Sequence, residues 1–197
     1  MKFTSISKRP VIIIGKSGSG KTSVVEKLIN DYKTDELKYE RVVTYTTRKR
    51  RSNESEEAYH FITPQQFNEM KNEFAEYSYY SNKEDDVIVY GSKLEDYLSD
   101  ESVKLIILNV EGMMNVLKKL KPSNCTVIYL KQSEEVLRKH LQERGTESQT
   151  NIDERLAIDD GQFKGVEPHT DLTINCDNLS IDVVASLIDR YVRGELY

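Results

Sequence analysis

A glycine-rich segment between an apolar run and a helical pattern is the feature that most restricts the fold. Residues 15–22 read Gly-Lys-Ser-Gly-Ser-Gly-Lys-Thr and match the pattern G-x-x-x-x-G-K-[ST] at every required position. The apolar run Val11–Ile14 precedes this loop and predicts a buried strand. In such a strand–loop–helix unit, backbone N–H groups converge on an anion and the positive end of the helix lies behind it. The sequence therefore predicts that the chain binds a nucleoside triphosphate.

Individual loop residues have expected roles in that prediction. Lys21 is expected to reach the terminal phosphates of ATP, and the Thr22 hydroxyl is expected to ligate Mg²⁺. The alternative is a turn with an incidental lysine, which the match at every position disfavours. The residues expected to bind ATP in this segment are Gly15, Lys16, Ser17, Gly18, Ser19, Gly20, Lys21 and Thr22.

Alternation of strand and helix patterns predicts an α/β fold. Almost wholly apolar runs at 11–14, 104–110, 125–130 and 172–176 are typical of parallel strands covered on both faces. Helical stripes lie between and after them, such as the one formed by Val24, Val25 and Leu28. We therefore expect a doubly wound core with right-handed crossovers. In the segment 144–150 we expect a helix end, a polar turn and a new helix capped by Thr150.

Composition limits the class of protein. The chain has 197 residues and a net charge of −5, which disfavours general nucleic-acid binding. Cys125 and Cys176 lie in apolar runs and are expected to be buried in a reducing compartment. The first residues lack the apolar stretch of a signal peptide, and no run approaches membrane-spanning length. A soluble cytoplasmic protein with no membrane partner is expected.

Residues 41–92 interrupt the α/β rhythm. Eight of the 12 tyrosines lie between residues 39 and 97, and short alternating stretches such as 74–77 predict a small antiparallel lobe inserted into the core. Within it, 44–51 reads Thr-Tyr-Thr-Thr-Arg-Lys-Arg-Arg, with four cations in an acidic protein. Taken alone, this run is either a solvated basic loop or a second phosphate clamp, because arginine presents paired donors that match phosphate oxygens.

With this motif the chain resembles the guanylate kinases, which transfer the γ-phosphoryl group of ATP to GMP. The resemblance runs from about residue 10 to the C-terminus, with several motifs in the family's order. The matching segments are Lys21-Thr22, 44–51, Tyr59-His60-Phe61, Glu73-Phe74-Ala75-Glu76, Tyr90-Gly91-Ser92, 144–147 and 151–156.

The resemblance implies a fold, an activity and site residues. It implies a three-layer P-loop NTPase-type fold with a central parallel sheet, an inserted mixed or antiparallel lobe for the nucleoside monophosphate and a helical lid. The parts would be a core at 8–40, 98–135 and 164–197, a GMP-binding lobe at 41–97 and a lid at 136–163. The implied substrates are ATP, with Mg²⁺, and GMP or dGMP. The implied GMP-binding residues are Thr44, Arg48, Arg51, Tyr59, Glu76, Tyr90, Ser92 and Glu111.

Further roles follow from the same resemblance. Glu76 would read guanine, and Thr44 and Ser92 would bond the rest of the base edge. Asn175 would join the ATP site. The residues implied in catalysis are Lys21, Arg48, Arg51, Arg144 and Arg155.

The chain departs from the family pattern at four points. Asn109 and Glu111 stand where family members usually have two aspartates, and strand alternation predicts that both face one side. His140 stands where a lid arginine is often found, and its spacing from Val136 favours a packed or half-exposed side chain. Arg50 replaces a proline, and the stretch before Tyr90 is several residues longer. These departures indicate a divergent member.

Two other functions are open at this stage. One is a non-catalytic guanylate-kinase-like binding module, which Lys21, Thr22, Arg144 and Arg155 disfavour because such modules typically have a damaged loop and lid. The other is a kinase for another nucleoside monophosphate or for a small phosphorylated metabolite on the same fold, which Asn109 keeps open.

Overall fold

The structure is a computed structural model that describes residues 8–50, 54–81, 87–99, 101–145 and 148–196. The strands within these residues are β1 Val11–Ile14, β2 Tyr39–Arg41, β3 Tyr45–Thr46, β4 His60–Phe61, β5 Phe74–Ser81, β6 Val87–Lys93, β7 Val103–Ile107, β8 Thr126–Lys131 and β9 Leu172–Asn175. The α-helices are α1 Lys21–Asp31, α2 Pro64–Met70, α3 Val110–Leu120, α4 Glu134–Arg144, α5 Gln149–Phe163 and α6 Ile181–Val192.

Five parallel strands form the central sheet in the order β2-β7-β1-β8-β9. The four strands expected from apolar runs are present. The run expected to continue to residue 110 ends at Ile107, where the chain turns into α3. The sequence patterns did not reveal β2, because only Tyr39 of its three residues is buried.

Both faces of this sheet are covered, which confirms the expected doubly wound core. Val11 and Ile13 pack on one side with residues of α1 and α6. Ile12 and Ile14 pack on the other side with residues of α3. Since successive side chains of a strand point to opposite faces, a strand that is apolar throughout requires cover on both faces.

The inserted lobe contains a four-stranded mixed sheet in the order β4-β3-β6-β5. Its antiparallel pairs are β3 with β6 and β5 with β6, whereas β3 and β4 are parallel. Phe67 of α2, Phe74 and Val89 form its own small core. The register pairs Glu76 with Ser92, which places these two side chains next to each other.

The helices α4 and α5 pack on each other through Leu137, Leu141, Ile152 and Leu156. Gly145 ends α4 in the left-handed conformation, as expected from the sequence. The prediction that Thr150 caps the next helix is wrong. The Ser148 hydroxyl caps α5 by accepting a hydrogen bond from the Asn151 N–H, and Thr150 lies inside the helix.

Across the described residues, no helix combines the length and apolar character needed to cross a membrane.

Candidate active site

The loop between β1 and α1 follows the carboxyl end of a central strand. Gly18 and Gly20 adopt φ angles of 84° and 78°, a region that side chains with a Cβ rarely enter. These two glycines allow the loop to curl around its own N–H groups before α1 begins at Lys21. The loop thus has the geometry of an anion cradle in front of a helix N-terminus.

Lys21 folds back over this loop. Its Nζ donates hydrogen bonds to the carbonyl oxygens of Gly15 at 2.6 Å and Lys16 at 2.9 Å. Burial lowers the pKa of Lys21 to about 8; Asp159 opposes this shift, whereas Arg155 and Arg144 add to it. Lys21, Arg144 and Arg155 line the same cavity beside the loop, so three cations lie together there.

The helices α4 and α5 bring these arginines to the loop. The Arg155 Nε donates a hydrogen bond to the Ser17 hydroxyl at 2.7 Å. A cavity of about 600 Å³ lies between the loop and α4 and is lined by residues 17–23, by His140, Leu141, Glu143 and Arg144, and by Arg155 and Ile181. Converging backbone N–H groups and cations suit this cavity to a polyphosphate.

Asn175, assigned to the ATP site by resemblance, does not line that cavity. It is the last residue of β9, is exposed, and accepts a hydrogen bond from the Asp177 N–H at 3.3 Å. The side chain of Asn175 is thus engaged locally, at the carboxyl end of β9.

A second cavity, of about 240 Å³, opens between the inserted lobe and the sheet. Glu76, at 7% exposure, contributes a nearly buried carboxylate to its lining. Burial raises the pKa of Glu76, whereas hydrogen bonds from Ser92 oppose this rise. The other lining residues named from the sequence are Thr22, Thr44, Tyr59, Tyr90 and Asn109.

Ser92 has a different place from the one expected. It is fully buried, and its hydroxyl donates to Glu76 Oε1 at 2.5 Å while lying 2.8 Å from the Tyr97 hydroxyl. The side chain therefore lies behind Glu76, where it orients the carboxylate, and does not reach the cavity surface.

Arg48 contacts aromatic and acidic groups of the lobe, although it does not line this second cavity. Its Nε donates to the Tyr90 hydroxyl at 2.9 Å, and its two terminal nitrogens donate to Glu54 at 2.8 and 2.6 Å. Its guanidinium carbon lies 5.5 Å from the centre of the Tyr59 ring. Arg48 thus holds both tyrosines in one cluster. Arg51 lies outside the described residues.

Thr22 is shared by the two cavities, which both include it in their lining. The start of α1 therefore borders both cavities. Mg²⁺ characteristically takes one or two protein oxygens and completes its octahedron with phosphates and water. Thr22 lines the loop cavity, so its hydroxyl beside a polyphosphate fits that preference.

The family model for guanylate kinase matches residues 7–191, nearly the whole chain. The chain belongs to the guanylate kinase family. The guanylate kinase of Mycoplasmoides gallisepticum is 30% identical over 189 residues, which cover 92% of each chain. That of Prochlorococcus marinus subsp. pastoris is 31% identical over 156 residues, 76% of this chain and 79% of the relative.

A solved structure shares the fold of this guanylate kinase family member. The crystal structure of guanylate kinase from Anaplasma phagocytophilum superposes with a TM-score of 0.63 at 22% identity, and covers 95% of this chain and 86% of the other. The expected P-loop α/β fold is thereby confirmed.

Asn109 and Glu111, which depart from the family pattern, lie in different positions from those that the sequence predicted. Asn109 and Glu111 do not alternate on a strand, because β7 ends before them. Asn109 is the N-cap of α3, where its Oδ1 accepts from the Gly112 N–H at 2.7 Å, and Glu111 is exposed in the first turn. Of these two residues, Asn109 lines the cavity between the inserted lobe and the sheet, and Glu111 does not.

His140 is exposed, and its side chain contacts the loop. Its Nδ1 is 3.0 Å from the Gly18 carbonyl oxygen, so this nitrogen carries a proton and donates. The helical spacing from Val136 correctly placed His140 on a helix, but it did not indicate the contact between His140 and Gly18 of the loop.

Sequence reasoning missed Arg41 at the second cavity and Asp159 at the loop. Arg41 is the last residue of β2 and lines the cavity between the inserted lobe and the sheet. Ligands of open α/β sheets bind beyond the carboxyl ends of the strands, so recognition of β2 in the sequence would have indicated this position. Asp159 contacts the loop through the Ser17 N–H. Its spacing of four from Arg155 was the available signal, since residues four apart share a helix face.

Proposed function

We propose that this guanylate kinase family member transfers the γ-phosphoryl group of ATP to GMP or dGMP, which yields ADP and GDP or dGDP. The observation that carries the proposal is the place of Thr22, which lines both the loop cavity and the lobe cavity. A donor in one and an acceptor in the other would meet at this residue.

ATP would bind with its phosphates on the loop. The backbone N–H groups of residues 17–22 and the N-terminus of α1 would bind the phosphate oxygens. Lys21 would leave its two carbonyl partners for the terminal phosphates, because an ammonium gains more from an anion than from a carbonyl oxygen. Mg²⁺ held by the Thr22 hydroxyl would neutralise charge on the transferred group.

GMP would place its phosphate at the cluster of Arg48, Tyr59 and Tyr90. The two phenol hydroxyls can donate to phosphate oxygens, and Arg48 holds them in place. Arg51 would add a second cation from outside the described residues. A phosphate monoester is mostly a dianion at neutral pH, so the attacking oxygen needs no general base.

The transfer itself exchanges one phosphorus–oxygen bond for another. An oxygen of the GMP phosphate forms a bond to the γ-phosphorus, the bond to the β,γ-bridging oxygen breaks, and ADP leaves with that electron pair. Arg144 and Arg155, which face the loop cavity from α4 and α5, would stabilise the charge on the transferred group and exclude water.

Guanine would be recognised by Glu76. Its nearly buried carboxylate can accept from the N1–H and the exocyclic amine of guanine, and Thr44 lies on the same cavity surface. Adenine presents an acceptor at N1, so it would leave the carboxylate unpaired in a closed site, which is costly.

The alternative functions receive less support. Lys21, Thr22, Arg144 and Arg155 line one cavity, as an enzyme requires and a binding module does not. The buried carboxylate at Glu76 favours guanine over other bases. A cytoplasmic location remains part of the proposal.

A coupled assay of ADP release over nucleoside monophosphates tests the proposed function. With ATP and Mg²⁺, GMP and dGMP should exceed AMP in kcat/KM by at least about a hundredfold, as polar-group recognition can provide. CMP and UMP should also be poor substrates. Comparable rates with AMP, CMP or UMP would remove Glu76 from its role in guanine recognition.

A further inference from the structure

The phosphate loop is in contact with an anion supplied by the chain itself. The Ser17 backbone N–H donates a hydrogen bond to Asp159 Oδ2 at 2.6 Å. Backbone N–H groups of this loop are the donors on which a bound phosphate depends. A carboxylate therefore occupies part of the cradle that the proposed function gives to ATP.

Neighbouring contacts hold Asp159 in this place. One residue further along α5, Asp160 forms an ion pair with Lys16 of the loop. Four residues earlier, Arg155 bonds the Ser17 hydroxyl. Three side chains of α5 thus attach this helix to two consecutive loop residues.

The electrostatic surroundings make this contact a competitor for phosphate. Asp159 lies close enough to Lys21 to oppose the lowering of its pKa. It thereby offsets part of the positive charge that Lys21, Arg144 and Arg155 present to a ligand. A polyphosphate entering the cradle would need the same N–H group and would meet a negative charge beside it.

We propose that Asp159 is an intramolecular competitor for the phosphate loop, which holds α5 on the loop until ATP displaces it. The inference rests on the proposed function, because it assumes that this loop binds ATP. In consequence, Asp159 weakens ATP binding, and the arrival of ATP frees the helix that carries Arg155. The contact makes lid release depend on the donor nucleotide.

A different role for Asp159 has the opposite consequence. If the carboxylate stayed in place with ATP bound and oriented water on Mg²⁺, its removal would weaken ATP binding. The sign of the change in affinity therefore separates the two roles.

The test is isothermal titration of the full chain with Mg-ATP in the absence of GMP. Asp159→Asn should lower the Kd for ATP about tenfold, and Asp159→Ala should act in the same direction. Both changes are at a partly exposed helix position, and Asp159→Ala provides a second variant should the first fold poorly. Glu154→Gln is the matched control, because it removes one negative charge from an exposed position of α5. Glu154 lies about 140° around the helix from Asp159, so this change should alter the Kd for ATP less than about twofold.

The outcomes separate the inference from the function on which it rests. An unchanged or higher Kd in both Asp159 variants, with a wild type that binds ATP, overturns the competitor role alone. An equal fall in Kd for Glu154→Gln also overturns it, because net charge would then be the cause. A wild type that does not bind ATP overturns the proposed function and the inference with it.

Discussion

Replacing Glu76 by glutamine tests guanine recognition without changing the size of the side chain. Glu76 is 7% exposed, and its carboxylate accepts from Ser92 through Oε1 at 2.5 Å, so it is oriented before the base arrives. Two hydrogen bonds from guanine to a charged acceptor contribute about 1.5–3 kcal/mol each. Glutamine can keep one neutral bond at best, and its amide N–H group would face a guanine donor.

The expected loss for Glu76→Gln is about 3 kcal/mol, or roughly 150-fold in kcat/KM for GMP. The same variant should change kcat/KM for AMP less than about threefold, because adenine does not use the carboxylate as an acceptor. The assay is coupled ADP release at saturating ATP, with each monophosphate varied in turn.

A control separates base recognition from a general charge effect. Glu95→Gln removes an exposed carboxylate from the same lobe and should leave both substrates unaffected. If Glu76→Gln keeps the wild-type ratio of GMP to AMP, the buried carboxylate does not read the base and the argument from its burial is wrong.

Three other perturbations have defined results. Arg144→Ala and Arg155→Ala should each lower kcat by about two to four orders of magnitude with a much smaller change in the KM for GMP, and full kcat in both would make them surface arginines. Lys21 has a pKa of about 8 and binds phosphate as the cation, so it loses its charge between pH 7 and pH 9. The Kd for ATP should therefore rise about tenfold over this range, and a constant Kd would contradict this. Gly112→Ala should raise the KM for GMP with little change in the Kd for ATP, because the added Cβ would lie 3.2 Å from Glu76 Oε2; equal effects on both nucleotides would indicate a general loss of structure.

The core was predictable because its signals are local. The run Val11–Ile14 predicts a strand, the following loop matches the phosphate-binding pattern at every position, and the structure places both as expected. β2 was not predictable in this way, since Glu40 and Arg41 are exposed and leave Tyr39 as its only buried residue.

The sequence predicted which residues form the site better than it predicted the contacts that these residues make. Resemblance brought Glu76 and Ser92 to the same lobe, but their adjacency depends on strand register, which only the folded sheet fixes. Asn109 was assigned to a strand because an apolar run does not show where a helix begins. The contact of Asp159 was not predicted, because a carboxylate on a helix usually faces solvent. Only the packing of α5 on the loop brings Asp159 to the Ser17 N–H, from which it accepts a hydrogen bond.

The most direct test of the account is ³¹P NMR of ATP, GMP and Mg²⁺ with catalytic amounts of the protein. Transfer between the two cavities predicts that GDP and ADP appear in equal amounts as GMP is consumed, with no inorganic phosphate beyond the uncatalysed background. Lys21→Ala, at the loop, should show no turnover under the same conditions. ADP with inorganic phosphate in place of GDP, or GDP formation by Lys21→Ala above about a tenth of the wild-type rate, would contradict the account.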